Sequence, residues 1–304
     1  MAGTYTAIDL SQLPPPQVVE VIDYETILQE GLADFYARMA ESGTEFTALV
    51  ESDPLYKLAQ TFAFREMLVR QRANESALAV MLAYAQKSDL DQIGANFNLP
   101  RNVLIPADPT TTPPTPAVME SDEAYRARIQ LVNESYTTAG SEGSYVFHAL
   151  SADAKVKDVQ PVSPVPGQVL VYVLSRDGNG TADTALLGKV NAALNKEEIR
   201  PLTDNVVVQS ASIIEYTVTA ELVLYPCPDS NVILQAAKDE LQKYVDAMHR
   251  VGFDVTISGI YQALHRPGVQ TVNLTTPTQT IVVNDGQAAY CTAINVTIAG
   301  GTDV

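Results

Sequence analysis

Three histidines, two cysteines and a surplus of carboxylates are the side chains that could carry chemistry. His148, His249 and His265 have no partner at i+4 and stand in no H-E-x-x-H frame, so their spacing supports no zinc site. His249 falls at the end of a predicted helix beside Arg250, where a cation would complement the helix dipole. His148 and His265 each follow a short apolar segment and read as helix-end or interface residues. Cys227, between Pro226 and Pro228, has no cationic neighbour to make it a thiolate, and neither it nor Cys291 has a second Cys at ligand spacing. The nearest imitation of a nucleophile turn, Gly140-Ser141-Glu142-Gly143-Ser144, lacks an apolar strand in front and reads as a loop or helix cap. Asp177-Gly178-Asn179-Gly180 resembles part of a calcium loop without its remaining ligands. No phosphate-binding or dinucleotide-binding glycine pattern occurs. The spacing therefore selects no catalytic, cofactor-binding or metal site, although carboxylates could still pair in three dimensions.

The elements that would hold such residues divide by period. In the first third the pattern is helical. Its first sixty residues carry ten acidic side chains against Arg38 and Lys57. A helix is predicted from Val18 to Ala40, ending at Gly43. Asp53-Pro54 then supplies an N-cap carboxylate and a proline at the first helical position. No breaker follows before Ser88, so a helix of more than thirty residues is predicted, the alternative being a break near Ala73-Asn74. Its ends are apolar (Leu55, Leu58 and Phe62; Leu78, Met81 and Leu82), and these six are the candidate interface of a helix bundle with other chains. Between them lies a charged stretch, Arg65 to Glu75. Ser88 is read as the cap of a further short helix.

Six prolines between Pro100 and Pro116 predict a semi-rigid polyproline connector and a domain boundary. After Ser121-Asp122-Glu123, which starts another helix, the period shifts to two. Strands are predicted at 155–160, 168–174, 205–209, 213–225, 269–274, 280–283 and 293–298, with helices at 182–198, 231–249 and 258–264. An internal echo joins Phe147–Leu150 leading into Val156–Val159 with Tyr261–Leu264 leading into Val269–Val272, as two related small α/β units would. The fold class is α+β. Its parts are an N-terminal arm with long helices (1–99), a proline-rich connector (100–118), a middle helical and α/β domain (119–211) and a C-terminal α/β domain (212–304).

The chain of 304 residues is 46% hydrophobic and 18% charged, which excludes a wholly disordered protein. Its net charge of −17 repels phosphate backbones and argues against nucleic-acid binding. The longest apolar run, Ala77 to Ala85, falls far short of a membrane span, and Met1-Ala2-Gly3-Thr4 does not open like a signal peptide. A cytoplasmic site of synthesis follows.

Several segments, taken in order, resemble the baseplate J-like family of contractile-tailed phages and contractile bacteriocins. They are Ile8-Asp9-Leu10-Ser11-Gln12-Leu13-Pro14, Val18-Val19-Glu20 and Asp23-Tyr24-Glu25-Thr26-Ile27-Leu28. Next come Glu51-Ser52-Asp53-Pro54, Arg65-Glu66 and Arg70-Gln71-Arg72-Ala73-Asn74-Glu75. Asp89-Leu90-Asp91, Pro106-Ala107-Asp108-Pro109 and the run from Glu120 to Ile129 complete the set. The resemblance implies a structural wedge component without a cofactor. Its partners would be a second copy of the chain in another conformation, a protein I-like wedge partner, and neighbouring wedge, hub and sheath-proximal proteins. The N-terminal helices would form the bundle, and the C-terminal domains would link wedges into a ring that rearranges on contraction. The expected location is the bacterial host cytoplasm during assembly and then the baseplate of the released particle. The alternatives are an acidic hydrolase and a stand-alone binding module.

Overall fold

The computed structural model describes residues 10, 13, 14, 16–43, 50–137, 139–226 and 229–299. Cys227, parts of the 11–16 proline segment and the Ile8-Asp9 start of the family-like pattern lie outside them. The described residues separate into two compact units, one up to residue 100 and one from residue 101 on.

In the first unit, α1 (Tyr24–Glu41) begins at Asp23, whose carboxylate accepts from the Thr26 N–H at 2.8 Å. The sequence places its start six residues earlier; there the segment from Pro16 to Val19 turns instead, with the Val19 N–H bonded to the Pro16 carbonyl. The helix α2 (Pro54–Ala79) is capped by Asp53 with proline in its first turn. It spans 26 residues, about 39 Å, and runs unbroken through Ala73-Asn74. The longer helix predicted from the sequence stops at Ala79; a turn over 80–86 separates it from α3 (Lys87–Ala95). The residue before α3 is Gln86, not Ser88, and its side chain makes no capping bond.

In the second unit the proline-rich segment is not an extended spacer. Strands β1 (Val103–Ile105) and β2 (Val118–Met119) pair antiparallel, and a bridge between Asp108 and Thr115 closes the hairpin above them. The five prolines from Pro106 to Pro116 sit in the exposed loop between the strands, where their missing N–H groups leave no ladder bond unmade. Helix α4 (Asp122–Leu131), capped by Ser121, runs into a 3-10 turn at Val132–Tyr136.

Two lobes follow, each with a three-stranded sheet. The first comprises α5 (Glu142–Ala152), β3 (Val156–Val165), β4 (Gln168–Ser175), α6 (Thr184–Leu194) and β5 (Asn205–Ser210). Its order is β3-β4-β5, with β3 antiparallel and β5 parallel to β4. Tyr145, Ala149, Val171, Val173, Val190 and Leu194 fill the core. The second comprises β6 (Ser212–Leu224), α7 (Ser230–Met248), α8 (Ile257–Leu264), β7 (Val269–Thr276) and β8 (Gln287–Ile298), in sheet order β7-β6-β8. Alternate residues of β6 (Val218, Ala220, Leu222 and Leu224) point inward against α7 and α8, as a half-buried strand of period two requires. The predicted strand at 280–283 is instead a loop with one bridge, Val255 to Ile281. The sequence echo has a structural counterpart: α5 feeds β3 and α8 feeds β7, each an edge strand antiparallel to the middle strand of its sheet.

A single residue, Ala211, carries the chain from one sheet to the other. Its N–H bonds the Val173 carbonyl at 2.9 Å, and the next N–H, of Ser212, bonds Gly286 at 2.8 Å.

Candidate functional site

Helix α2 is covered on one side only. Tyr56, Ala59, Ala63 and Met67 pack toward Ile27, Leu28 and Leu32 of α1, and Ala63 is its single buried residue. Leu55, Leu58 and Phe62 lie beside that seam at 41, 50 and 63% exposure, so they remain available to another surface. With Ile27, Leu28, Leu32 and Phe35 they line an apolar groove of about 220 Å³. Leu78 occupies the last turn of α2, whereas Met81 and Leu82 fall in the turn beyond it; all three are half-buried in their own unit. The structure therefore joins the first three candidate residues in one groove and leaves the second three apart from it.

The sequence reading missed a second stripe. Phe64 and Leu68, spaced i, i+4, are about half exposed on the side of α2 turned away from Ala63. Leu68 stands inside the stretch read as charged and Phe64 at its edge, where Arg70 pairs with Glu66 at 2.6 Å.

Between the two lobes of the second unit lies a polar seam. Three residues of β3 reach across it. Lys157 Nζ stands 2.7 Å from His249 Nδ1. Asp158 accepts from the Val251 N–H at 2.9 Å and faces Arg250 at 3.5 Å. Gln160 accepts from the Gly286 N–H at 2.8 Å and donates to Asp285 at 2.9 Å. Leu174, Ala211, Val251 and Ala288 form a small apolar core alongside. His249 does cap α7, yet it is buried, and burial together with Lys157 pushes its pKa down to about 4. A neutral imidazole cannot act as the dipole-compensating cation that its helix-end position suggests. Burial lowers the pKa of Lys157 as well.

The remaining candidates have structural roles. Ser141 caps α5, accepting from the Ser144 N–H at 3.2 Å. Asp177 pairs with Lys155 at 2.7 Å, and Asn179 accepts from Thr181, so the calcium-like residues make a turn. His148 is half-buried on α5 with its pKa lowered by burial, and His265 caps α8. Burial raises the Cys291 thiol pKa, the reverse of activation. Among the described residues no cluster of His, Cys, Asp and Glu has the arrangement of a metal site, and no helix is long and apolar enough to cross a membrane.

The described residues show an apolar groove with exposed side chains in the first unit and polar contacts between the lobes of the second. Residues 51–108 match the Baseplate J-like N-terminal domain, residues 137–210 the Baseplate J-like central domain, and residues 216–297 the Baseplate J-like protein C-terminal domain. Baseplate protein J of Escherichia phage P2 is 50% identical over 299 residues, covering 97% of this chain and 99% of the relative. A structural family of this kind leaves the hydrolase alternative without support. The chain belongs to the baseplate J-like family.

Proposed function

We propose that this protein is a structural wedge component in the baseplate of a contractile tail or contractile bacteriocin. Its first unit docks onto helices of other chains: a second copy in another conformation and a protein I-like wedge partner. Its second unit links neighbouring wedges into a ring around the hub, and the ring rearranges when the sheath contracts. Residues 54–79 carry this reading. A helix of 26 residues with Ala63 as its one buried side chain has most of its surface left for partners. The groove at Leu55, Leu58 and Phe62 and the stripe at Phe64 and Leu68 lie on different faces, which suits two neighbours at once. A net charge of −17 favours basic protein partners over nucleic acid.

The test is co-expression of the chain with the products of its genomic neighbours, followed by isolation of the assembly. The wild type should recover a hetero-oligomer containing more than one copy of this chain. Leu58→Asp combined with Phe62→Asp should abolish recovery while circular dichroism stays unchanged. Normal assembly of that double variant would defeat the bundle reading.

A further inference from the structure

The seam between the two lobes places a lysine against a histidine, an arrangement that packing alone does not require. We propose that the Lys157–His249 contact is a proton-operated latch: with a neutral imidazole it closes the lobes on one another, and protonation of His249 opens them.

In the closed state the ammonium of Lys157 donates to Nδ1, which fixes the ring proton on Nε2. That nitrogen is buried against Gly180 and makes no well-formed hydrogen bond, although the Asn179 backbone beside it favours the protonated ring. A second proton at Nδ1 would remove the acceptor and set two cations 2.7 Å apart. The groups facing the ring leave little to offset this. Lys157 comes from β3, Asp246 from its own helix, the Asn179–Gly180 turn from the first lobe, and Tyr290 from β8, 5.2 Å away between ring centroids. Around Lys157 stand Asp158, Arg176, Arg250 and Asp246, two carboxylates against two guanidinium groups. Asp158 is already engaged by the Val251 N–H and Arg250.

The other seam bonds make the latch consequential. Asp158 to Val251 and Gln160 to Gly286 originate on the same strand as Lys157, so displacement of β3 at one position strains the rest. The lobes are joined directly through Ala211, so an opened seam changes their mutual angle without unfolding either core.

The sign follows from linkage. A histidine held neutral in the closed state and free in the open one favours opening as pH falls below its free pKa. The fall to about 4 in the closed state converts to an opening equilibrium about thirtyfold higher at pH 5 than at pH 8.

Hydrogen exchange of the full chain, read by mass spectrometry at pH 8 and pH 5 and corrected for intrinsic rates, tests the latch. Peptides containing Val251 and Gly286 should show the rise, while those from the middle of β6 should not. His249→Gln keeps a neutral acceptor for Lys157 and should lose the rise. His148→Gln, which alters the other buried-side histidine, should retain it. If His249→Gln does not fold, Lys157→Met decides: a smaller rise supports the latch, and an unchanged one overturns it. Absence of a rise in the wild type, an equal rise in His249→Gln, or its loss in His148→Gln would also overturn the proposal. Because the readout involves no partner, its failure is distinct from failure of the wedge assembly.

Discussion

Asn74 gives both ends of its side-chain amide to one residue 54 positions away. Its Oδ1 accepts from the Glu20 N–H at 3.0 Å and its Nδ2 donates to the Glu20 carbonyl at 2.9 Å. A side chain thus acts as the β-partner of a backbone residue and fastens the arm that leads into α1. Tyr84 reinforces it by donating to the Pro14 carbonyl at 3.0 Å. Asn74→Ala should free this arm at a cost of about 1 kcal/mol in local opening, since two exposed hydrogen bonds revert to water. Faster hydrogen exchange confined to residues 16–22, with an unchanged global melting temperature, is the expected outcome.

The two exposed faces of α2 should be separable. Phe64→Glu with Leu68→Glu leaves the groove intact and removes only the second stripe. The variant should fold normally and recover a smaller assembly, missing one class of neighbour. Mass measurement of the isolated complex would read this directly. By contrast, Leu78→Asp with Met81→Asp acts on half-buried side chains and should lower the stability of the chain itself, by about 2–4 kcal/mol for the pair.

The balance between local and tertiary signals decides what the sequence revealed. Asp53-Pro54 and Ser121 are local capping signals, and each caps the helix expected of it; Ser141, read as loop or cap, proves to be the cap of α5. Period-two runs located β6 and the second half of β8, where burial alternates; residues 287–292 of β8 show no such alternation and were not expected as strand. The end of α2 at Ala79 carries no sequence signal, since Val80-Met81-Leu82 contains no breaker. The hairpin was missed because proline content predicts stiffness and says nothing of where the segment folds back. His249 was placed correctly at a helix end, but its charge state depends on Lys157, 92 residues away in sequence. The groove residues Leu55, Leu58 and Phe62 are legible as apolar; that they share a groove with α1 depends on how the two helices pack.

A buried ion pair should make the base of that hairpin sensitive to single substitutions. Glu120 and Arg128, both nearly fully buried, make two hydrogen bonds, and Glu120 also accepts from the Asn102 N–H at 2.8 Å. Arg128→Met leaves the carboxylate buried beside the apolar replacement and should cost about 3–5 kcal/mol. Adding Glu120→Leu should return part of that loss. Urea unfolding of the two variants against the wild type would measure both effects.

The hairpin loop itself should be the first site of proteolysis, because residues 106–117 are exposed throughout. A broad-specificity protease should nick it before it cuts any helix or sheet. The fragments should stay together, since Arg101 reaches the Glu120 carbonyl at 2.9 Å and Asp122 at 2.7 Å across the base. Two bands on a denaturing gel and a single peak in size exclusion are the expected result.

Gly286 offers the sharpest test of how the lobes are held. Its φ of +71° lies in the region that side chains disfavour, so any other residue there is strained before contacts are counted. A Cβ would also meet the Tyr172 ring, which belongs to the first lobe and packs beside the small core at Ala211. The same glycine gives its N–H to Gln160 and its carbonyl to Ser212, so its peptide groups bond on both sides of the seam. Relief of the clash must displace either the tyrosine or the Asn284–Gln287 turn, and movement of the turn lengthens both bonds. Gly286→Ala should therefore destabilise the chain by about 2–4 kcal/mol, the sum of backbone strain and overpacking. Tyr172→Phe should be near neutral, because the ring and not its hydroxyl occupies the space. Combining Gly286→Ala with Tyr172→Ala should recover the part of the loss due to overpacking, while the backbone strain persists. A double-mutant cycle by chemical denaturation separates the two contributions.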